Sequence, residues 1–448
     1  MSAGSSARPI GRAGIGLDRV RALQRVLYRS AKQNPERRFH ALFDKVARSD
    51  VMWRAWGDVR ANKGAPGVDG VSIDAVERSG VQAFLEALAA DLRSGRYRPS
   101  PLRRVHIPKP GRPGQTRPLG IPTVRDRVVM AAARIVLEPV FEADFLASSF
   151  GFRPKRSAHM AVEAIRVCAN RSNDWVLDAD IKACFDEIDH DALMADISRR
   201  VIDRQMLKLL RCWLRAGIFE GGVITESGSG TPQGSPISPL LANIALHRLD
   251  QAVVGGERQT GTLIRYADDF VVLCPNAERA REAQRRAAAV LGALGLRLNP
   301  EKTRIVELTR GKEGFDFLGF HLRKVESWKW RGKFYLQRWP SATAMNSIRT
   351  KIRALTDRRY TEMPIASVVD RVNPVLRGWG NYFRTGNSAR KFNQIDSYVH
   401  ERLAILACNK HQLSGRKWDS HFNGEWFRRL GVHTLKGSIH YGTAHASR

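Results

Sequence analysis

The segment Leu263-Ile264-Arg265-Tyr266-Ala267-Asp268-Asp269-Phe270-Val271-Val272-Leu273 limits what this chain can fold into more than any other. Two short apolar runs, Leu263–Tyr266 and Phe270–Leu273, are separated only by Ala267-Asp268-Asp269. That spacing predicts two strands joined as a hairpin with acids at its tip. Adjacent carboxylates in an apolar setting are costly to desolvate, and each raises the other's pKa unless a cation neutralises them. A hard divalent ion such as Mg²⁺ does so and keeps positions open for phosphate oxygens. A plain polar turn is the alternative, since Asp is common in turns.

A second acid narrows the choice. Trp175 to Ile181 reads as another apolar strand, with Asp180 at its end. If that strand lies beside the hairpin, Asp180, Asp268 and Asp269 converge. Three such carboxylates can hold two Mg²⁺ ions about 3.5–4 Å apart, the arrangement used for in-line phosphoryl transfer. Taken alone, Asp180 could equally cap the next element.

Charge points to a polyanionic partner. Over 448 residues, 74 Lys/Arg stand against 44 Asp/Glu, a formal +30, and neutralising phosphates with such side chains releases condensed counterions. Residues 321–448 hold 24 Lys/Arg and 8 Asp/Glu, or +16, so the C-terminal part is the most basic. It also carries Trp328, Trp330, Trp339, Trp379, Trp418 and Trp426. Cations mixed with aromatic rings suit a nucleic-acid surface, although Trp379 reads better as core. The five cysteines are far apart and form no CxxC pair. That excludes a zinc or disulfide framework and fits a reducing cytoplasm. No apolar run is long enough to span a bilayer.

Length suggests more than one domain. Met1 to Gly16, small and Gly/Ser-rich, reads as a disordered basic leader. Residues 17–60 carry helical periodicity. Residues 105–122 read as two extended segments joined by a Gly/Pro-rich turn, with Lys109 and Arg117 on either side. Helices are expected over 124–145 and 277–294. Strands and helices mix without a regular βαβ repeat, so an α+β fold is expected. Beyond Pro340 three amphipathic helices follow: one with Ile348, Ile352 and Leu355, one with Ile365 to Val372 that should stop near Pro374, and one with Ile395, Val399 and Leu403.

Several segments resemble the ordered boxes of reverse transcriptases. Asp180-Ile181-Lys182-Ala183-Cys184-Phe185-Asp186 is similar to the first catalytic box and Tyr266-Ala267-Asp268-Asp269 to the hallmark box. Between them, Gly230-Thr231-Pro232-Gln233-Gly234-Ser235-Pro236 resembles the conserved loop. Leu296 to Thr303 and Phe315 to Phe320 resemble the two boxes that follow. Gly64 to Gly70, Ile121 to Arg127 and Ser149 to Pro154 resemble N-terminal boxes of group II intron-encoded reverse transcriptase/maturases. Leu376-Arg377-Gly378-Trp379-Gly380-Asn381-Tyr382-Phe383 resembles their thumb, or maturase, domain.

The resemblance implies a right-hand polymerase, with fingers and palm over 17–325 and a helical thumb/maturase domain over 340–448. It implies Asp180, Asp268 and Asp269 as catalytic residues, and these with Ile181 as ligands of two Mg²⁺ ions. Lys109 and Arg117 match residues that hold the incoming triphosphate, with generic RNA contact as the rival role of Lys109. Phe185 matches a gate against the ribose 2′-hydroxyl, or is a core aromatic. Gln233 and Gly234 match a loop beside template, primer and nucleotide, or form a plain turn. Lys302 reads as a phosphate contact or a solvated lysine. Asp186 and Asp189 read as structural acids. Arg349, Arg353, Arg377, Arg384 and Lys391, with Arg358 and Arg359, are candidates for binding nucleic acid.

The expected partners are intron RNA, an RNA template, a DNA primer, target DNA and deoxynucleoside triphosphates. The expected location is a bacterial cytoplasm, near the nucleoid. His433, His440 and His445 form no convincing nuclease, so no DNA cleavage is expected, and a mobile intron would need a primer from elsewhere. A domesticated polymerase in phage defence or DNA repair, a splicing cofactor with an idle polymerase, and a non-enzymatic RNA binder remain as rival readings.

Overall fold

The structure, a computed structural model, describes residues 13–108, 114, 116–225, 230, 231, 234–254, 260–413 and 422–440. Three sheets organise it. Strands β1 (Leu102–Pro108) and β2 (Thr116–Ile121) form the expected antiparallel pair, and β4 (Ile218–Glu220) and β5 (Val223–Thr225) complete the order β2-β1-β4-β5. The central sheet contains β3 (Trp175–Asp180), β6 (Thr262–Tyr266), β7 (Asp269–Cys274) and β8 (Arg304–Glu307) in the order β6-β7-β3-β8. The third sheet has β9 (Gly314–Phe317), β10 (Phe320–Glu326) and β11 (Phe334–Pro340).

The apolar run in β7 follows from burial on both faces of the central sheet. Side chains alternate along a strand, and here each face meets a different core. Phe270, Val272 and Cys274 join Leu177 and Ala179 against one cluster, which includes the helices Ser238–Val254 and Ala277–Gly292. Val271 and Leu273 join Val176 and Ile264 against the other, with the helix Ala158–Ala169 and the C-terminal helices. Asp178, Asp180 and Asp269 share the parity of the second face, so the acids emerge where the C-terminal region covers the sheet.

The helix Val124–Glu142 is buried on nearly every side. Its start is set by Thr123, whose Oγ1 accepts from the Asp126 N–H at 3.1 Å. Asp126 in turn accepts from the Tyr97 hydroxyl at 2.6 Å. The box from Ile121 to Arg127 thus builds the N-terminus of a core helix.

The C-terminal region contains the helices Ala342–Leu355, Ile365–Phe383 and Ala389–Lys410. Their core is continuous with that of the central sheet. Trp379 packs there on Phe383 and Phe392, with ring centroids 4.9 and 5.5 Å away. Two expectations are corrected. The second helix runs through Pro374 instead of stopping there. Pro374 lies on the exposed side while Val372, Asn373 and Leu376 are buried, so the carbonyl that loses its partner faces water and packing holds the flanking turns. At the other end, the helix Ala13–Gln33 takes in the last four residues of the expected leader; extending an anchored helix costs far less than nucleating one. The rest of the leader, and Lys109, Gln233 and Trp418, lie outside the described residues.

Candidate active site

The antiparallel register of β3 and β7 sets Asp180 directly opposite Asp269. Across β6 and β7, Tyr266 opposes Asp269, leaving Ala267 and Asp268 as the two-residue turn. The expected acidic tip is therefore divided. Asp269 belongs to the strand and Asp268 to the turn, because ladder pairing extends one residue further than the apolar pattern.

The electrostatics show how closely the acids sit. Asp269 is exposed as a residue, while protein and two neighbouring acids surround its carboxyl. That burial, the charge of Asp268 and the hydrogen-bonded Asp180 push it up to about 7. Burial, with Asp180 nearby, also raises Asp268. Asp178, two residues earlier on the same face, is pushed up to about 6 by burial, against the pull of Arg304 at 3.2 Å. Lys302 donates to Asp180 Oδ2 at 2.8 Å, and the Asn299 amide donates to the same oxygen at 3.2 Å.

Such crowded carboxylates are a fit for a hard divalent cation, which would relieve their repulsion. Among the described residues no three acidic, imidazole or thiol side chains form a closed cage for one ion. Mg²⁺ does not need one; it binds through one or two carboxylates, waters and substrate phosphates. The Ile181 side chain is buried, so only its main chain could meet a cation.

A buried polar network holds the turn. Ala267 has φ 59°, in the left-handed region, which costs a non-glycine residue roughly 1–2 kcal/mol. Its carbonyl accepts from Arg265 Nη1 at 2.9 Å. Arg265 is fully buried and grips the equally buried Asp250 at 2.6 Å through both Nε and Nη2. Arg265 Nη1 also donates to Asn243 Oδ1 at 3.0 Å, and Asn243 Nδ2 donates to the Gly151 carbonyl at 2.9 Å. Gly151 lies so close to the turn that a Cβ would stand 2.3 Å from the Ala267 nitrogen. Next to it, Arg153 donates to Glu142 at 2.8 Å and to the Ser149 carbonyl at 2.8 Å. The Phe150 N–H then donates to the Arg265 carbonyl at 2.8 Å. The box from Ser149 to Pro154 is thus a buttress behind the acids. Sequence reasoning assigned no role to Arg265, Asp250 or Asn243. The available signal was one arginine inside an apolar strand, which must be paired if buried.

Phe185 follows Ala183, whose φ is 46°. It is half-buried against the first core cluster, and its carbonyl accepts from the Thr231 N–H at 2.6 Å. The loop from Gly230 therefore lies on the turn that follows β3. At Gly234, φ 105°, a Cβ would stand 2.7 Å from the Gly120 carbonyl. That close approach, which favours glycine, brings the loop against β2. Arg117, on β2 opposite Ile107, is exposed. Asp189 caps the helix His190–Ser198 through the Ala192 N–H at 2.7 Å, a structural role.

The candidate nucleic-acid residues are spread over the three C-terminal helices and their ends, with Arg349 and Arg353 one turn apart on the first. Arg353, Arg377 and Arg384 are exposed and Lys391 is half-buried. Arg349, also half-buried, lies over the Tyr398 ring at 6.0 Å. Among the described residues none of these five forms an ion pair.

Comparison with known proteins bears on this arrangement. Residues 107–322 match the family "Reverse transcriptase (RNA-dependent DNA polymerase)". Residues 345–423 match "Group II intron, maturase-specific domain". The chain is 34% identical to Protein YkfC of Escherichia coli (strain K12) over 346 residues, 69% of this chain and 89% of that protein. It is 36% identical to the group II intron-encoded protein LtrA of Lactococcus lactis subsp. cremoris over 228 residues, half of this chain but 37% of LtrA. A telomerase structure from Candida albicans is similar at 14% identity with a TM-score of 0.42, over 78% of this chain and 67% of that one.

Proposed function

The chain belongs to the group II intron-encoded reverse transcriptase/maturase family, whose polymerases copy RNA into DNA, and we propose that it adds deoxynucleotides to a primer 3′ end by two-metal phosphoryl transfer at Asp180, Asp268 and Asp269. The pairing of Asp180 with Asp269 at the ends of adjacent strands, beside Asp268 in the turn, carries this reading. The three carboxylates, with the Ile181 main chain, would hold two Mg²⁺ ions. Bound there, a divalent ion lowers the pKa of the primer hydroxyl and neutralises charge on the triphosphate.

The remaining steps belong to the protein's own groups. Lys302, held 2.8 Å from Asp180, presents an ammonium beside the reacting phosphates. Arg117, exposed on β2, faces the triphosphate from the fingers, the role that the family resemblance also gives to Lys109 and Gln233, which lie outside the described residues. Fixed cations placed where charge develops need no reorganisation during the reaction. Phe185, its main chain tied to Thr231, stands under the sugar and selects against a 2′-hydroxyl. The C-terminal helices, with Arg349, Arg353, Arg377, Arg384 and Lys391, bind duplex substrate and an intron RNA, whose splicing-competent fold they stabilise. The maturase-specific match over 345–423 supports this second role.

The test is primer extension on an RNA template with Mg²⁺. Extension by the wild-type protein and none by Asp268→Ala is expected. No extension by the wild type overturns the polymerase reading, and equal extension by the variant overturns the site. Splicing of a group II intron RNA flanking the reading frame, with and without the protein, tests the second role.

A further inference from the structure

The hairpin of β10 and β11 ends in a seven-residue loop, Ser327-Trp328-Lys329-Trp330-Arg331-Gly332-Lys333. Trp328 is 96% exposed and Trp330 51%, both large apolar rings held in water. The loop is ordered by its own bonds. Ser327 Oγ accepts from the Lys329 and Trp330 N–H groups at 3.3 Å, Glu326 Oε1 accepts from the Gly332 N–H at 2.7 Å, and the Ser327 N–H donates to the Lys333 carbonyl at 2.8 Å. Lys329 and Lys333 rest over the Trp330 ring, 5.0 and 5.7 Å from its centroid. The loop contains three cations and no acid.

The base of the hairpin is rigid. Leu322 and Leu336 are buried, Lys324 pairs with Asp174, and Arg338 reaches Glu163 at 2.5 Å. Asp174 precedes β3 at the end opposite Asp180. At the rise of an extended strand, that puts Lys324, three residues before the loop, about 20 Å from the catalytic carboxylates. The loop therefore meets something other than the reacting base pair.

We propose that residues 327–333 form a binding arm for unpaired RNA, in which Trp328 and Trp330 stack on bases while Lys329, Arg331 and Lys333 hold phosphates. Aromatic rings alternating with cations match the alternation of base and phosphate along a single strand, whereas a duplex keeps its bases stacked on one another. A protein partner is a poorer fit, because lysine is depleted from protein interfaces and the two rings are separated by charge. Tyr335, 40% exposed just below the loop, extends the ring surface. The choice of RNA over DNA rests on the reading of this chain as a polymerase that copies RNA.

The test uses the full chain with a short 4-thiouridine-containing oligouridylate. Cross-linking should label the peptide that carries 327–335. Trp328→Ala/Trp330→Ala should weaken binding about 30-fold or more, with Trp328→Phe/Trp330→Phe retaining most of the affinity. Lys329→Glu/Arg331→Glu/Lys333→Glu should reduce the salt slope by about 2. Labelling confined to other peptides, or unchanged binding by the alanine variant with its melting temperature preserved, overturns the arm. Equal tryptophan-dependent binding of oligothymidylate overturns its assignment to RNA, and tryptophan-dependent binding to anionic phospholipid vesicles without cross-linking makes it a membrane contact. Primer extension on the same preparation reads the polymerase separately, so an arm that binds without extension sinks that reading alone.

Discussion

Two hairpins in this molecule use the same backbone pattern for opposite ends. The β6–β7 hairpin has a two-residue turn and rests on a buried, hydrogen-bonded arginine. The β10–β11 hairpin has a seven-residue loop whose rings and cations face water. The first holds carboxylates in one geometry, so packing and hydrogen bonds restrain it from behind while the acids face outward. The second meets a polymer of variable sequence, so its base is rigid and its tip is free. Buried polar groups anchor both hairpins, Arg265 directly behind the turn of the first and Lys324 and Arg338 along the strands of the second, well short of its loop.

The comparison breaks most readily at Asp268. Asp268→Ala should reduce extension about a thousandfold or more, as loss of a principal electrostatic group does, while RNA binding persists. Extension within about tenfold of wild type would remove the turn from the chemistry.

Next in size is Arg265→Met, which strands Asp250 in the core and should cost about 3–5 kcal/mol in denaturant unfolding. Adding Asp250→Leu should restore most of that stability, since paired apolar replacements are often neutral. Extension should stay low, because the Ala267 carbonyl and the Asn243 amide oxygen still lack their donor. Recovery of extension in the double variant would make the network a matter of stability alone.

Gly151→Ala should cost about 1–3 kcal/mol through its clash with the turn and should slow extension. Gly57→Ala, in open space within the helix Ser49–Ala61, should instead stabilise by about 0.5–1 kcal/mol. If both variants behave alike, the turn is not tightly buttressed.

The acids also make stability depend on pH. The Asp269 carboxyl, near 7 in the folded chain, lies well above its unfolded value, so the native state binds the extra proton. Asp269's contribution to the stability of the metal-free protein should therefore fall as pH rises from about 4 to 7, read as the difference between wild type and Asp269→Asn. Asp269→Asn should flatten that slope. Mg²⁺ should raise the melting temperature most above this window, where the carboxylates are ionised. The same pH dependence of melting temperature in wild type and Asp269→Asn would contradict the crowding.

The smallest effect belongs to the arm. Trp328→Ala should change unfolding free energy by no more than about 0.5 kcal/mol, as expected of a side chain that packs on nothing. A larger loss would mean the loop is part of the core.

What could be read from the chain alone were features set by near neighbours. The strands around Asp180 and Asp268, the paired extended segments on either side of the Gly/Pro turn before Arg117 and the C-terminal helices are written as apolar periodicity and turn residues. The ordered boxes supplied the family, and the family supplied the roles. Trp379 reads as core in the sequence and packs in one, so it is Trp328 that shows the limit. Both are tryptophans in a basic region, yet one lies in water and one in a core, because burial depends on which elements meet.

Contacts between distant segments were decided only by the tertiary structure. Asp250 and Gly151 are both far in sequence from the turn they support, and no local pattern pairs them with Arg265 or Ala267. Lys302 on Asp180 is likewise a product of sheet order, which sets β8 beside β3. Pro374 continues a helix that local rules would end, because tertiary packing outweighs one lost hydrogen bond. The sequence by itself named the acids and their chemistry. Their register, their crowding and the arginine beneath them came from the packing of strands and helices that share no sequence neighbourhood.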